Sequence, residues 1–357
     1  MSSIPTLGRL PNGKCARHAA PSQLALIPSA VQSASLPGET LREIFMYCMA
    51  GNIGDLNPAN YPLALRRVST TWRDIADSMP CLWSTITVTR SQILPHNVQV
   101  IKEWLDRSGT TCFLDISIHV PPDFPNLNLL AAILAEFMPT CRRWKNLALC
   151  VPTEFLPMLL TNPDAPLPTL ESLKLIMDHQ LQFTIDSSAT RLRSISLLAL
   201  HLQVMPNGRD LDLVWGQITH LNIQTATGTI DEIWDIFLQC PQLLSLIIVV
   251  PNSLSILKIP FHSRQLFHSN IHQLSMSVNT RSKVIGNFLD GLYLRDLQEL
   301  RLNFTDNLAN EMCTWPKAAI QDLRKRCLPP LVEISIAGKL IFEEDLAEFV
   351  REMKYLE

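Results

Sequence analysis

The sequence predicts an α/β protein, a small N-terminal helical module followed by a right-handed α/β solenoid. Three observations predict it. An L-x-x-L-x-L pattern with conservative apolar swaps recurs through the C-terminal part of the chain. Helix-like amphipathic segments lie between its copies. Ahead of them, residues 35–88 carry two short helical stripes and a pair of tryptophans, too little sequence to bury a core unaided.

Residues 1–34 hold Arg9, Lys14 and Arg17 without an acid and are rich in Ser, Ala and Pro. They read as a disordered basic tail, the alternative being a transit peptide. Pro5, Pro11 and Lys14 interrupt the early apolar stretches, so no signal peptide is expected. The run LPGETLREIFMYC, 36–48, then starts a helix. Pro37 suits a first turn, where its missing N–H costs nothing, and Glu39 faces the positive end of the dipole. Leu41, Ile44, Phe45 and Cys48 form one apolar stripe. GNIGDLNPAN, 51–60, reads as a loop. A second helix is expected from about Pro62, with Leu65, Val68, Trp72 and Ile75 on one face, before SMPCLW breaks it at Pro80.

The recurring pattern reads LPTLESLKL (167–175), RLRSISL (191–197), QITHLNI (217–223), QLLSLII (242–248), NIHQLSM (270–276), DLQELRL (296–302) and PLVEISI (330–336). WKNLAL (144–149) is a weaker member, and FLDISI (113–118) is a candidate first one. Successive copies fall 22 to 28 residues apart, except for a last interval of 34. Leucine-rich repeats have such periods, each a strand plus a helix that buries its apolar face on its neighbours. The connecting helices are expected at 130–138, 230–240 and 284–292. FEEDLAEFVREMKYLE, 342–357, reads as a closing helix over the last repeat. Residues 89–357 are therefore expected to form one repeat domain.

The run LPGETLREIF, then PLALRRVSTTWRDIA, then MPCLW resembles an F-box, in the form common in large fungal families. Ser69 stands where that family usually has cysteine, and Gly38 where it has a bulkier helix former. The resemblance implies docking on a Skp-family adaptor and, through it, on a cullin-based ubiquitin ligase. By position, Leu36 and Pro37 would lead the docking. Leu41, Ile44, Val68 and Trp72 would add apolar contacts or support them, while Phe45 and Trp83 are expected to pack inward.

Composition excludes several other classes. Net charge is −3, which argues against a general nucleic-acid surface. No apolar run approaches the ~20 residues of a membrane helix. Nine scattered cysteines without a C-x-x-C pair suit a reducing compartment, cytoplasm or nucleus, where thiols serve as small core residues. The sequon at Asn303 carries no weight without a secretory signal. No nucleotide, hydrolase or zinc-protease motif is present. His268 and His272 have helical metal spacing, yet His272 falls within a strand signature. No cofactor, metal or catalytic residue is expected, and the protein is not expected to be an enzyme.

A target protein is expected on the strand face, at the positions between the apolar marks: Lys174, Ser196, Asn222, Ile247, Ser275, Arg301 and Ser335. His220, His272 and Glu299 are expected beside them. The expected function is substrate recognition within a cullin-based ligase. The alternative is a non-catalytic repeat scaffold acting outside one, with residues 35–88 serving only as a cap.

Overall fold

The computed structural model describes residues 36–49, 54–177, 185, 187–201, 215–229, 238–250, 253–255, 266–267, 270–278, 282–304, 316–327, 331–338, 347 and 351. The chain divides into Met1–Pro37 and Gly38–Glu357. Of the first unit only Leu36 and Pro37 are described, and both are exposed. The second unit holds all the secondary structure below.

Two short helices come first, α1 (Gly38–Met49) and α2 (Thr70–Asp77). Then follow strands β1 (Thr85–Thr89), β2 (Leu114–His119), β3 (Trp144–Cys150), β4 (Ser172–Ile176), β5 (Ser194–His201), β6 (His220–Thr229) and β7 (Ser245–Val250). Short pieces β8 (Ser253–Ser255) and β9 (Leu266–Phe267) precede β10 (Gln273–Val278), β11 (Leu292–Tyr293), β12 (Glu299–Phe304) and β13 (Glu333–Gly338). Between strands run α3 (Pro95–Arg107), α4 (Leu127–Phe137), α5 (Leu156–Leu160), α6 (Ser282–Gly291) and α7 (Lys317–Arg326).

Ten strands lie side by side in chain order, β1 to β7 and then β10, β12 and β13, and every neighbouring pair is parallel. β8 pairs with the far half of β6, and β9 with β11. Parallel neighbours need a crossover, and sequential order means each crossover advances by one strand. That is a solenoid-like α/β fold. Alternation does the rest, because side chains at period two point to opposite faces. One set forms two buried lateral rows. The first runs Ile86, Ile116, Leu147, Leu173, Ile195 and Leu221, and continues with Leu246, Leu274 and Leu300. The second starts two residues later at Val88 and Ile118. α3 and α4 lie against each other, as do α6 and α7. α3 buries Ile101, Trp104 and Leu105, and α4 buries Leu130, Ile133, Leu134 and Phe137.

Each strand signature from 113–118 to 330–336 is a strand of this sheet, and the helices expected at 130–138 and 284–292 are α4 and α6. The helix at 230–240 lies outside the described residues except for 238–240, and the closing helix except for 347 and 351. Two expectations are corrected. The module boundary at 88 falls inside β1, so the helical part ends by Ser84 and the sheet begins one repeat earlier than FLDISI. The stretch from Pro62 is not one helix either. A single turn at Leu65–Arg67 ends, Ser69 is fully extended, and α2 begins at Thr70. Ser69 caps α2, its hydroxyl accepting a hydrogen bond from the Trp72 N–H at 3.1 Å.

Free cysteines are spread from buried to half-buried. Burial pushes the Cys240 thiol up to about 12 and Cys327 up to about 11, as expected of small core residues.

Candidate protein-binding surfaces

The helical module is anchored from within. Leu41 and Phe45, one turn apart on α1, are both buried, and the Phe45 ring meets that of Trp72 at 5.0 Å. The Tyr61 hydroxyl donates to the Phe45 carbonyl at 2.9 Å, and burial raises its pKa. Trp83 is fully buried and donates from Nε1 to the Ala76 carbonyl at 2.9 Å. With these anchors turned inward, an apolar set is left facing water: Ile44 (38% exposed), Met46, Tyr47 (84%) and Val68 (60%). Ile44 and Tyr47 share one side of α1, three residues apart. Exposed apolar residues on one side of a helix are the kind of surface that interaction sites use.

Of the docking residues expected from sequence, Leu36, Pro37, Ile44 and Val68 are exposed and Trp72 is half-buried. Leu41 is corrected. At 3% exposure it supports α1 from below and has no surface to offer a partner. Met46 and Tyr47 went unnoticed because the apolar stripe through Cys48 drew attention to the inward side of α1.

The strand face holds the second surface. Lys174, Ser196, Asn222, Ile247, Ser275, Arg301 and Ser335 stand in one unbroken lateral row, each the register partner of the next. Thr87, Ser117 and Ala148 extend it to β1. His220 and Glu299 belong to the adjacent row, as expected. His272 does not. It is exposed but lies one residue before β10, so it has no register partner in that row, where Gln273 takes the position. It is held by a 2.7 Å contact between its Nδ1 and the Asn270 carbonyl. His268 lies outside the described residues.

The face is chemically divided. At its C-terminal end, Ser245 donates to Gln273 (2.7 Å), and Gln273 donates to Glu299 (3.0 Å). Arg301 lies 3.4 Å from Glu299 and 3.2 Å from Glu333. The expected binding cation Arg301 is thus already neutralised by two carboxylates, in an exposed network of small net stability. Lys174 is exposed and has no carboxylate at ion-pair distance among the described residues. The Asn222 carboxamide oxygen is shielded from water and has no hydrogen-bond donor among the described residues. Apolar residues also stand on this face. In the next row Ile176 pairs with Leu198, which is 39% exposed, and polar Gln224 separates that pair from Val249, as Asn222 separates Ser196 from Ile247 one row back. Sequence reading missed these apolar positions because each repeat was read only to its last core position. The signal lay one residue beyond, at Ile176 and Leu198.

Near these surfaces His119, at the end of β2, has its pKa lowered by partial burial and by the Lys174 charge. Among the described residues no group of three or more His, Cys, Asp or Glu is placed to hold a metal, and no helix is long and apolar enough to cross a membrane. No protein-family model and no curated protein matches the chain.

Proposed function

We propose that the protein is the substrate-recognition subunit of a cullin-based ubiquitin ligase, acting in the cytoplasm or nucleus. Its helical module docks on a Skp-family adaptor and its strand face holds a target protein. One observation carries the docking half. A module whose Leu41, Phe45, Ile75 and Trp83 are buried still exposes Ile44, Tyr47 and Val68, and of these Ile44 and Val68 lie within the runs of the F-box-like pattern. Leu36 and Pro37, which lead that pattern, are exposed as well. The apolar residues Ile176, Leu198, Ile247 and Val249, set among polar neighbours on the strand face, support the second half, since protein interfaces mix apolar and polar contacts. The mechanism is proximity, a bound target being held at high effective concentration near the charged enzyme, with no covalent step on this chain.

A second reading has an observation of its own. The module covers the β1 edge, where Gly54 accepts from the Thr87 N–H at 2.6 Å and Asp55 bridges Thr87. Covering an edge strand is the task of a cap, and a cap alone would serve a non-catalytic scaffold outside any ligase.

Binding to a purified Skp-family adaptor, wild type against Ile44→Asp/Val68→Asp, separates the two. Both positions are exposed, so the variant keeps its core. Two apolar anchors at about 1.5 kcal/mol each predict a loss of roughly 100-fold. A wild-type chain that is folded and does not bind leaves the scaffold reading.

A further inference from the structure

Between the segment 56–73, which runs into α2, and the start of α3 lies an open cleft of about 700 Å³. Its charge is lopsided. Arg66, Arg67, Arg73 and Arg107 line it together with His96, and among the described lining residues Glu103 is the one carboxylate. Two of the arginines are already ion-paired. Arg66 Nε sits 2.9 Å from Asp77, and Arg107 lies 3.4 Å from Asp77 and 3.0 Å from Glu103. The other two are not. Arg67 and Arg73 are exposed, and each reaches only a backbone carbonyl, of Pro58 at 3.4 Å and of Arg66 at 3.1 Å. Among the described residues no carboxylate lies at ion-pair distance from either. Two guanidinium groups, five donors each, therefore face one cleft with most of their hydrogen-bonding capacity unspent.

Leu56, Leu63, Leu94 and Val100 contribute apolar wall between these charges. We propose that the cleft binds an acidic peptide segment of a partner protein, its carboxylates on Arg67 and Arg73 and its apolar side chains against Leu94 and Val100. A small inorganic anion would have no use for that wall. A single-stranded nucleic acid would want stacking rings, and no Phe, Tyr or Trp is among the described lining residues. Carboxylate on arginine gives bidentate, charge-assisted bonds, and a cleft of one sign concentrates ligands of the other. The site is separate from Ile44 and Val68, so it does not depend on the adaptor reading.

The test is fluorescence polarisation of the full chain with a fluorescein-labelled ELEELE hexapeptide, beside labelled KLKKLK and labelled oligouridine. The expected result is saturable binding of ELEELE alone, weakened by added salt. Arg67→Gln/Arg73→Gln should lower that affinity by about tenfold or more, with an unchanged thermal transition. Ile44→Asp, at a residue that does not line the cleft and is next to neither arginine, should bind the peptide like wild type. Absence of ELEELE binding, equal binding by the arginine variant, or preference for oligouridine or KLKKLK would each overturn the proposal.

Discussion

Trp83 and Trp104 meet edge to face, their ring centroids 5.0 Å apart, and Trp104 Nε1 donates to the Trp83 carbonyl at 2.9 Å. Trp83 ends the helical module and Trp104 belongs to α3 of the first crossover, so the pair joins cap to sheet. Arg107 lies 5.1 Å over the Trp83 ring and adds a cation–π contact to the pair. Truncating Trp104 to Ala should cost about 3–5 kcal/mol, the range for a buried aromatic. Trp104→Phe, which keeps the ring and orphans the Trp83 carbonyl, should cost about 1–3 kcal/mol. Chemical denaturation followed by tryptophan fluorescence checks both. A Trp104→Ala chain as stable as wild type would mean that the cap is held elsewhere.

Gly54 has no room for a side chain. A Cβ there would run into the Thr85 carbonyl oxygen and stand 3.0 Å from the Trp104 ring. The close approach serves the hydrogen bond from Thr87 N–H to the Gly54 carbonyl that seals the β1 edge. Backbone cannot step aside as a flexible side chain would. Gly54→Ala should destabilise by about 1–3 kcal/mol and raise amide exchange at Thr87. An unchanged melting curve would refute this packing.

The sheet was legible because its rule is simple. Leu173 and Leu175 around Lys174, or Leu300 and Leu302 around Arg301, carry period two and a repeat length in the same few letters. β1 was less so. TITVT has the alternation but follows MPCLW directly, and the resemblance to a known module ran across it. Ser69 misled in the opposite direction, since Leu65, Val68, Trp72 and Ile75 have helical spacing while one capping hydroxyl breaks the helix among them. The strand-face row was predicted from Lys174 to Ser335 and not in its first three members, and the state of its charges was not predicted at all. That Arg301 is engaged by Glu299 and Glu333 depends on register between β12 and β13, which no single repeat encodes. The arginine cleft was invisible for the same reason, with Arg67 and Leu94 meeting only through the fold.

Arg143 ties the end of one crossover to the next. Its guanidinium donates to the Ser108 carbonyl at 3.4 Å, to the Cys112 carbonyl at 3.0 Å and to the Ser108 hydroxyl at 3.1 Å. Ser108 is the C-cap of α3, where carbonyls lack intrahelical donors, and Gly109 follows at φ 66°, the left-handed turn that ends the helix. Arg143→Met keeps the aliphatic stem and removes every donor. It should cost about 2 kcal/mol, in line with hydrogen bonds from a charged group. Arg143→Lys should recover only part of it, since one ammonium cannot span the same three acceptors. Equal stability of Met and wild type would show these contacts to be idle.

His119 gives the strand face a pH response with a defined sign. Partial burial and then the Lys174 charge hold its pKa below the ordinary 6.5. The unfolded chain therefore takes up a proton before the folded one does. Above about pH 6.5 both states are neutral at this residue and stability is independent of it. As pH falls through 6.5 towards the folded pKa, the unfolded state gains and stability drops, levelling off below that folded value. His119→Gln should remove this step, and Lys174→Met should narrow it by raising the His119 pKa towards 6.5. Imidazole titration by NMR checks the second directly, with denaturation midpoints between pH 5 and pH 8 checking the first. A His119 that titrates at or above 6.5 in the wild-type fold would refute both, because neither burial nor the lysine could then be acting on it.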